Sequence, residues 1–222
     1  MIRLMTLAVL FAASFAPAPA AALCLCLQCL TLDYRHFTVP GESMEPALPT
    51  GSCILARLTP PDFRAEPGQV VLFRHPVQAN EFFFRVIATG GQRVKITAGK
   101  VWIDGVEVPQ QPLPDDVIDF LYQPTGKLRR CAVPPETSGG SCTRRSATET
   151  LPSGASYTVL DVDDAGIADD MPEVQVPLGH LFLLGDHRDN SFDSRFPQEI
   201  GGLGFVPEGN VIGVFDRILS PP

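Results

Sequence analysis

The chain has 222 residues, of which 45% are hydrophobic and 19% are charged, so it can bury a sizeable core and is not an intrinsically disordered sequence. Its formal net charge of −8 argues against nucleic acid as a partner, because phosphate recognition needs clustered lysine and arginine. Only three lysines are present, Lys95, Lys100 and Lys127, and this scarcity limits the chemistry open to the chain.

The first predicted element is an apolar stretch at the amino terminus. From Leu4 to Leu32 no residue is charged, a run of 29 residues. As a helix it would extend about 43 Å, and a bilayer core needs about 20 residues. Residues 1–33 are therefore predicted to form a transmembrane anchor. Because Arg3 precedes the apolar run, we expect a single-pass protein of the cytoplasmic membrane whose residues 34–222 lie on the periplasmic or outer side.

A cleavable signal peptide is the alternative interpretation of the same stretch. Ala18-Pro19-Ala20 fits an A-x-A cleavage site, and Pro17 and Pro19 would interrupt a continuous helix. Against it, the chain is apolar again from Ala21 to Leu32, which a mature soluble start does not need. Both interpretations export residues 34–222.

The exported part is predicted to be mainly β. The chain contains 22 prolines and 19 glycines, and short β-branched and aromatic runs such as residues 69–73 and 101–103 lie between them. Runs of this kind bounded by glycine and proline are typical of strands. No long stretch after residue 33 has helical periodicity.

The cysteines are consistent with export. Cys131 and Cys142 flank a loop rich in proline, glycine and serine, and an oxidising compartment would allow a disulfide between them. A metal site is the alternative, but that loop has no Cys-x-x-Cys pair and no nearby histidine. Cys24, Cys26 and Cys29 fall in the apolar stretch; packing residues and metal ligands are the alternatives, and packing is the favoured interpretation. No metal and no cofactor are predicted.

Ser43 is the first candidate for chemistry. It lies two residues after Gly41 and directly before Met44-x-Pro46. The glycine allows the backbone to approach a ligand closely, and the proline fixes the backbone conformation where the chain leaves the turn. Such a turn can direct backbone N–H groups at a carbonyl oxygen, as an oxyanion hole requires. On its own, however, an ordinary turn serine is the simpler interpretation.

Two later segments strengthen the case for Ser43. Residues 81–87, Glu-Phe-Phe-Phe-Arg-Val-Ile, precede a Gly-Gly pair, and residues 184–195 interleave aspartate and arginine with serine and asparagine. Aspartate and arginine at this density can form an ordered charge network that positions neighbouring groups.

Together these segments resemble the type I signal peptidases. Ser43-Met44-x-Pro46, the Arg-Val-Ile segment and the motif at residues 185–195 occur in that family's order. Residues 68–76 and 204–213 resemble its remaining box and its carboxy-terminal strand, so the resemblance covers about residues 34–218. It implies a signal peptidase-like β-rich core, residues 34–99 and 177–222, with a smaller inserted β lobe at residues 100–176. A groove of that core would hold an extended substrate.

The function implied by the resemblance is a serine endopeptidase that removes signal peptides from exported proteins at the outer face of the cytoplasmic membrane. Such an enzyme works as a monomer without a cofactor, with signal peptides and membrane lipid as its partners. The site residues implied are the nucleophile Ser43, its supporting residues Ser191, Asp193 and Arg195, and the oxyanion or substrate-binding residues Gly41 and Met44.

One essential residue of that family is missing. Its general base is a lysine immediately before the Arg-Val-Ile segment, and Phe84 stands there. Phenylalanine has no lone pair, and the neighbouring Arg85 stays protonated at any useful pH. His187, within the third motif, is a possible replacement base.

Three functions therefore stay open: a signal peptidase with an unconventional base, an impaired homologue that binds signal peptides or secretion components, and a specialised maturation protease.

Overall fold

Short apolar runs between turns form strands along the whole described chain. A computed structural model describes Cys24 and residues 26–119, 131–132, 140–163 and 165–222. Its strands are β1 (Tyr34–Thr38), β2 (Cys53–Leu58), β3 (Val70–Arg74), β4 (Glu81–Thr89), β5 (Arg93–Thr97), β6 (Lys100–Ile103), β7 (Val106–Glu107), β8 (Gln110–Pro112), β9 (Asp116–Asp119), β10 (Ser141–Thr150), β11 (Ser156–Asp161), β12 (Met171–Gln175), β13 (His180–Leu184), β14 (Val206–Pro207) and β15 (Val211–Ser220). The helical elements are short 3₁₀ turns at Gln28–Thr31, Arg188–Asn190, Gln198–Ile200 and Glu208–Asn210. The prediction of a mainly β chain is confirmed.

The largest sheet carries the segments that the sequence singled out. Its seven strands are antiparallel and run in the order β1-β2-β15-β3-β4-β13-β14. Strand β4 lies between β3 and β13, so Phe84 faces Val71 across one ladder and Arg85 faces Leu184 across the other. The apolar runs of β2, β3 and β13 are buried over four successive residues each, as strands covered on both faces are.

Two four-stranded sheets complete the fold. One has the order β12-β5-β6-β7, and in the other β10 pairs with β11, β8 and β9. An apolar core cluster that includes Val94, Val101 and Tyr157 joins these sheets to Phe182 and Leu184 of β13. Strand β5 lies before the predicted lobe at residues 100–176, whereas β6 and β12, the strands that pair with β5, lie within that lobe. The boundaries of the lobe stay a prediction.

The cysteines of the amino-terminal segment are not packing residues, and that interpretation was wrong. The structure joins Cys24 to Cys53 and Cys26 to Cys29. Cys53 lies 29 residues along the chain from Cys24, so no local spacing indicates the pair. The structure also joins Cys131 to Cys142, the pairing that the sequence predicts, with their Cα atoms 5.2 Å apart.

The predicted anchor at residues 1–33 falls largely outside the described residues, which begin at Cys24 and omit residue 25. Within the part of the chain that the structure describes, no helix combines the length and the hydropathy that crossing a bilayer requires.

Candidate active site

The loop that carries Ser43 connects β1 to β2 and is closed by its own backbone. Val39 N–H donates to Ser52 O at 2.9 Å, and Gly51 N–H donates to Val39 O at 2.8 Å. The Met44 and Leu48 side chains anchor the loop in the core, with 3% and 1% of their surface exposed. These contacts fix the loop without using the Ser43 side chain.

Ser43 touches the third motif through both its backbone and its side chain. Its carbonyl oxygen accepts hydrogen bonds from His187 N–H at 3.1 Å and from Ser191 Oγ at 3.0 Å. Its hydroxyl donates to the carbonyl oxygen of Asn190 at 2.8 Å. The turn at residues 187–191 therefore holds the serine on two sides. The sequence did not single out Asn190, because this contact uses a backbone carbonyl that every residue type offers.

Asp193 and Arg195 form a buried ion pair directly behind this turn. The Asp193 carboxylate is fully buried and accepts Arg195 Nε at 2.8 Å and Arg195 Nη2 at 2.9 Å. It also accepts Gly185 N–H at 3.1 Å, and Arg195 donates to the carbonyl oxygen of Arg188. Because this bidentate pair ties both ends of the motif together, the Ser191 hydroxyl is held in position under Ser43.

Gly185 leaves the space that this packing needs. A Cβ atom there would lie 1.8 Å from Ser191 Oγ and 2.6 Å from Ser43 O. Both distances are far below van der Waals contact, so any side chain at this position would separate the serine loop from the motif.

Phe84 and Ser43 line the same cavity, of about 520 Å³. Phe84 is 5% exposed, and its ring centroid lies 6.2 Å from that of Phe73. Gly41, Met44 and His75 also line the cavity. Most of the remaining lining is apolar: Phe37, Val39, Leu48, Ile54, Phe82, Phe83, Phe192 and Leu203. Gly41 has open space where a side chain would begin. The sequence-predicted residues at positions 41, 43, 44 and 84 are thus neighbours, and their roles stay predictions.

No lysine in the described residues lies at this cavity. Lys95 and Lys100 are exposed on β5 and β6, and Lys100 pairs with Glu107 at 3.0 Å. Lys127 lies outside the described residues. Arg85, next to Phe84, is fully engaged elsewhere, because its guanidinium donates to Asp186 at 2.7 and 2.5 Å and to Gly68 O at 2.7 Å.

Neither of the two histidines near Ser43 accepts the serine proton. His75 Nδ1 accepts the backbone N–H groups of Val77 and Gln78, both at 3.1 Å, so the ring proton must sit on Nε2 and that atom is a donor. His187 is fully buried and contacts Ser43 through its backbone N–H. The His187 imidazole makes no hydrogen bond with the Ser43 hydroxyl, so the structure does not support His187 as the replacement base.

Charged groups around the third motif are buried in pairs. Burial alone would raise the pKa of Glu149, but the Arg188 guanidinium and the hydrogen bonds to the carboxylate outweigh burial and lower it. Glu149 accepts Arg188 Nη2, Tyr157 OH at 2.8 Å and Gln110 Nε2 at 2.9 Å. Burial raises the pKa of Asp186, and its hydrogen bonds from Arg85 only partly offset this.

A second buried pair ties the serine loop to β10. Glu45, two residues after Ser43, accepts Arg144 Nη1 and the backbone N–H of Thr50 at 3.1 Å. Burial would raise the pKa of Glu45, and these hydrogen bonds outweigh it and lower the pKa. The same guanidinium binds Asp116 of β9. Sequence reasoning missed Arg144 and Glu149, because each lies in a threonine- and serine-rich strand without a recognisable motif and its charged partner is distant in the chain.

The comparisons with known proteins agree with the motifs. The family described as "Signal peptidase, peptidase S26" matches residues 12–219. A signal peptidase I of Aquifex aeolicus is 30% identical over 200 residues, covering 81% of this chain and 73% of that protein. The signal peptidase I of Pseudomonas aeruginosa is 27% identical over 198 residues, covering 80% of this chain and 61% of that protein.

The chain therefore spans about three fifths of the length of the Pseudomonas relatives. The crystal structure of a signal peptidase I from Enterococcus faecalis V583 superposes with a TM-score of 0.36 at 22% identity, covering 69% of this chain and 98% of that one.

Proposed function

Because this chain belongs to the signal peptidase family, peptidase S26, we propose that it binds signal-peptide segments of exported proteins in the cavity beside Ser43 and cleaves them slowly or not at all. The proposal separates two properties that the family combines, recognition of the peptide and activation of the serine. Recognition uses the cleft, and activation needs a base.

The observation that carries the proposal is the environment of the Ser43 hydroxyl. It donates to the carbonyl oxygen of Asn190, which cannot take up a proton, and the residue at the lysine position is Phe84. A serine without a base is a weak nucleophile. General base catalysis typically contributes about 10²–10⁴ in rate, so its loss leaves binding in place and removes most of the turnover.

The cavity supports binding of an apolar peptide segment. Its volume of about 520 Å³ falls within the range of roughly 300–1,000 Å³ typical of ligand sites, and its lining is mostly aromatic and aliphatic. Signal peptides are apolar, so their burial here would be driven by the hydrophobic effect. No nucleic acid, metal or cofactor enters this proposal.

The second candidate is peptide cleavage with an unconventional base, either as a general signal peptidase or as a specialised maturation protease. The buried Asp193–Arg195 pair and the Ser191 contact favour it, since they hold Ser43 as a nucleophile needs to be held. A site under no demand for catalysis has no evident need of that arrangement.

The experiment compares Phe84→Lys with Phe84→Met, assayed as the full chain in detergent on a signal-peptide substrate. The lysine variant supplies a base in an apolar pocket, which favours its neutral form, so we expect cleavage to rise about 10²–10⁴-fold. The methionine variant changes packing without adding a base and should cleave no faster than wild type. Both proteins are checked by the fluorescence of Trp102, the sole tryptophan.

Ser43→Ala decides between the two candidates. The first candidate is supported if the wild-type protein binds the peptide without turnover and the Ser43→Ala variant binds it with the same affinity. Rapid wild-type turnover that disappears with Ser43→Ala supports the second. A folded Phe84→Lys protein with no gain in cleavage contradicts the idea that only the base is missing.

We further propose that residues 4–23 anchor the chain in the cytoplasmic membrane, with the cleft on its outer side. The part of the uncharged run that precedes Cys24 supports this placement, because a bilayer core needs about 20 apolar residues and the Cys24–Cys53 disulfide ties the chain to β2 from residue 24 onward. Signal peptides reach that face while still bound to the membrane, so the anchor would keep the cleft near its ligands.

A further inference from the structure

The segment before β1 contains a Cys-x-x-Cys pair that the proposed function does not use. Cys26 and Cys29 are joined in a disulfide, three residues apart in the chain. Both are only partly buried, and Leu27 and Leu30 beside them are 86% and 80% exposed. In the other two disulfides one sulfur is deeply buried, at Cys53 and at Cys142. Among the disulfides of the described residues, this pair is the one whose two cysteines are both accessible.

The surroundings of the two sulfurs suit a reactive dithiol. The backbone N–H of Cys29 donates to Cys26 Sγ at 3.0 Å. His36 Nδ1, from β1, lies 3.5 Å from Cys29 Sγ. A hydrogen bond donated to sulfur stabilises the thiolate formed on reduction, and an imidazole beside the second sulfur can exchange a proton with it.

Stabilising the fold is a weak explanation for this disulfide. A cross-link stabilises a protein mainly by restricting the unfolded chain, and its effect grows with the length of the loop that it closes. The Cys26–Cys29 loop spans a sequence separation of 3, against 29 for Cys24–Cys53 and 11 for Cys131–Cys142. The Cys24–Cys53 disulfide already holds this segment beside β2.

We propose that Cys26–Cys29 is a thiol–disulfide exchange site that accepts two electrons from an external dithiol, with His36 handling the proton at Cys29. The site lies outside the cavity of Ser43, and it does not depend on whether the chain binds or cleaves signal peptides. Its partner is a reduced dithiol, such as a Cys-x-x-Cys pair of another exported protein.

The exchange proceeds in two balanced steps. A thiolate of the partner attacks Cys26 Sγ, a mixed disulfide forms, and Cys29 Sγ leaves and takes a proton by way of His36. The second thiol of the partner then loses its proton to solvent and attacks the partner's own sulfur in the mixed disulfide, and Cys26 leaves as a thiolate stabilised by the Cys29 N–H. The Cys26 thiolate takes its proton from water. The partner becomes a disulfide, and this chain gains two electrons and two protons.

The test follows reduction of the full chain in detergent by dithiothreitol, without denaturant. Samples are quenched with N-ethylmaleimide, and each alkylated cysteine is identified by peptide mass spectrometry. We expect Cys26 and Cys29 to be alkylated about ten-fold faster than Cys131 and Cys142, because the sulfurs are accessible and the leaving thiolate is stabilised. Equal rates would overturn the proposal.

Exposure alone could give that first result, so histidine variants supply the decisive readout. His36→Asn is expected to slow reduction of Cys26–Cys29 about five- to ten-fold and to leave Cys131–Cys142 unchanged. His180→Asn, on β13 and hydrogen-bonded to Leu178 O, is the control and should change neither rate. Unchanged melting of both variants, followed by Trp102 fluorescence, shows that they fold.

Metal binding is the competing outcome, because the ligand atoms of Cys26, Cys29 and His36 lie within 4.8 Å of one another. The reduced protein is therefore also titrated with Zn²⁺. Uptake of one zinc ion that His36→Asn abolishes, together with a reduction rate that His36→Asn leaves unchanged, would assign a metal site and overturn the exchange proposal.

Discussion

Glu149 joins the strand β10 to the loop that supports Ser43. Its carboxylate is fully buried and accepts the guanidinium of Arg188 and the hydroxyl of Tyr157. Arg188 in turn donates through Nε to Gly185 O at 3.2 Å. The acid therefore neutralises a buried cation inside the third motif, although it lies 39 residues away in the sequence.

Glu149→Gln keeps the volume of the side chain and removes its charge. Arg188, with 7% of its side chain exposed, would then be a buried cation without its counter-charge. Breaking a buried pair from one side costs about 3–5 kcal/mol in the free energy of unfolding. At roughly 2–4 °C per kcal/mol for a chain of this size, the melting temperature should fall by about 6–20 °C.

The matched control is Glu107→Gln, which breaks the exposed pair with Lys100. Those side chains are 38% and 50% exposed, so we expect a cost of about 0–1 kcal/mol. Both variants and wild type are unfolded by heat and by urea, with Trp102 fluorescence as the signal. If Glu149→Gln is within 1 kcal/mol of Glu107→Gln, the buried pair does not carry the stability inferred from its burial.

Two further predictions concern pH and the membrane. Burial, and then a hydrogen bond with Asp189, raises the pKa of Asp161 from 3.8 to about 6. The stability from this proton is fully present below pH about 4 and is lost as pH rises through about 6. The difference in melting temperature, Asp161→Asn minus wild type, should therefore increase as the pH rises from about 4 to about 6. A difference that stays constant over this range contradicts the raised pKa of Asp161. For the anchor, alkaline carbonate washing should leave the full chain in the membrane pellet, and a chain lacking residues 4–23, which keeps Cys24 and its disulfide with Cys53, should appear in the supernatant.

The sequence predicted the β-rich fold because strands are encoded locally, whereas the grouping of residues around Ser43 came from the resemblance to the type I signal peptidases. Short apolar runs between glycines and prolines indicate strands without knowledge of their partners. The motifs at Ser43 and at residues 185–195 were recognisable because each is a contiguous segment. Their contact through Ser191 and the backbone of His187 follows from strand order, which the sequence pattern alone does not give.

What the sequence could not provide depends on distant pairing. The buried partners of Arg144 and Arg188, namely Glu45 and Glu149, are 99 and 39 residues away in the chain. Cys53, the partner of Cys24, opens a strand far from the apolar segment. In each case the two partners lie far apart in the sequence, and only the three-dimensional arrangement shows that they belong together.

Ser43 is placed by contacts of its carbonyl oxygen and of the loop backbone, none of which involves the side chain at position 84. Under the proposed function, the contacts that place Ser43 and the group that activates it belong to different residues. A substitution at position 84 would then change what happens to a bound peptide while the backbone that holds the serine stays in place. Binding and cleavage would in that case be one substitution apart on the same fold.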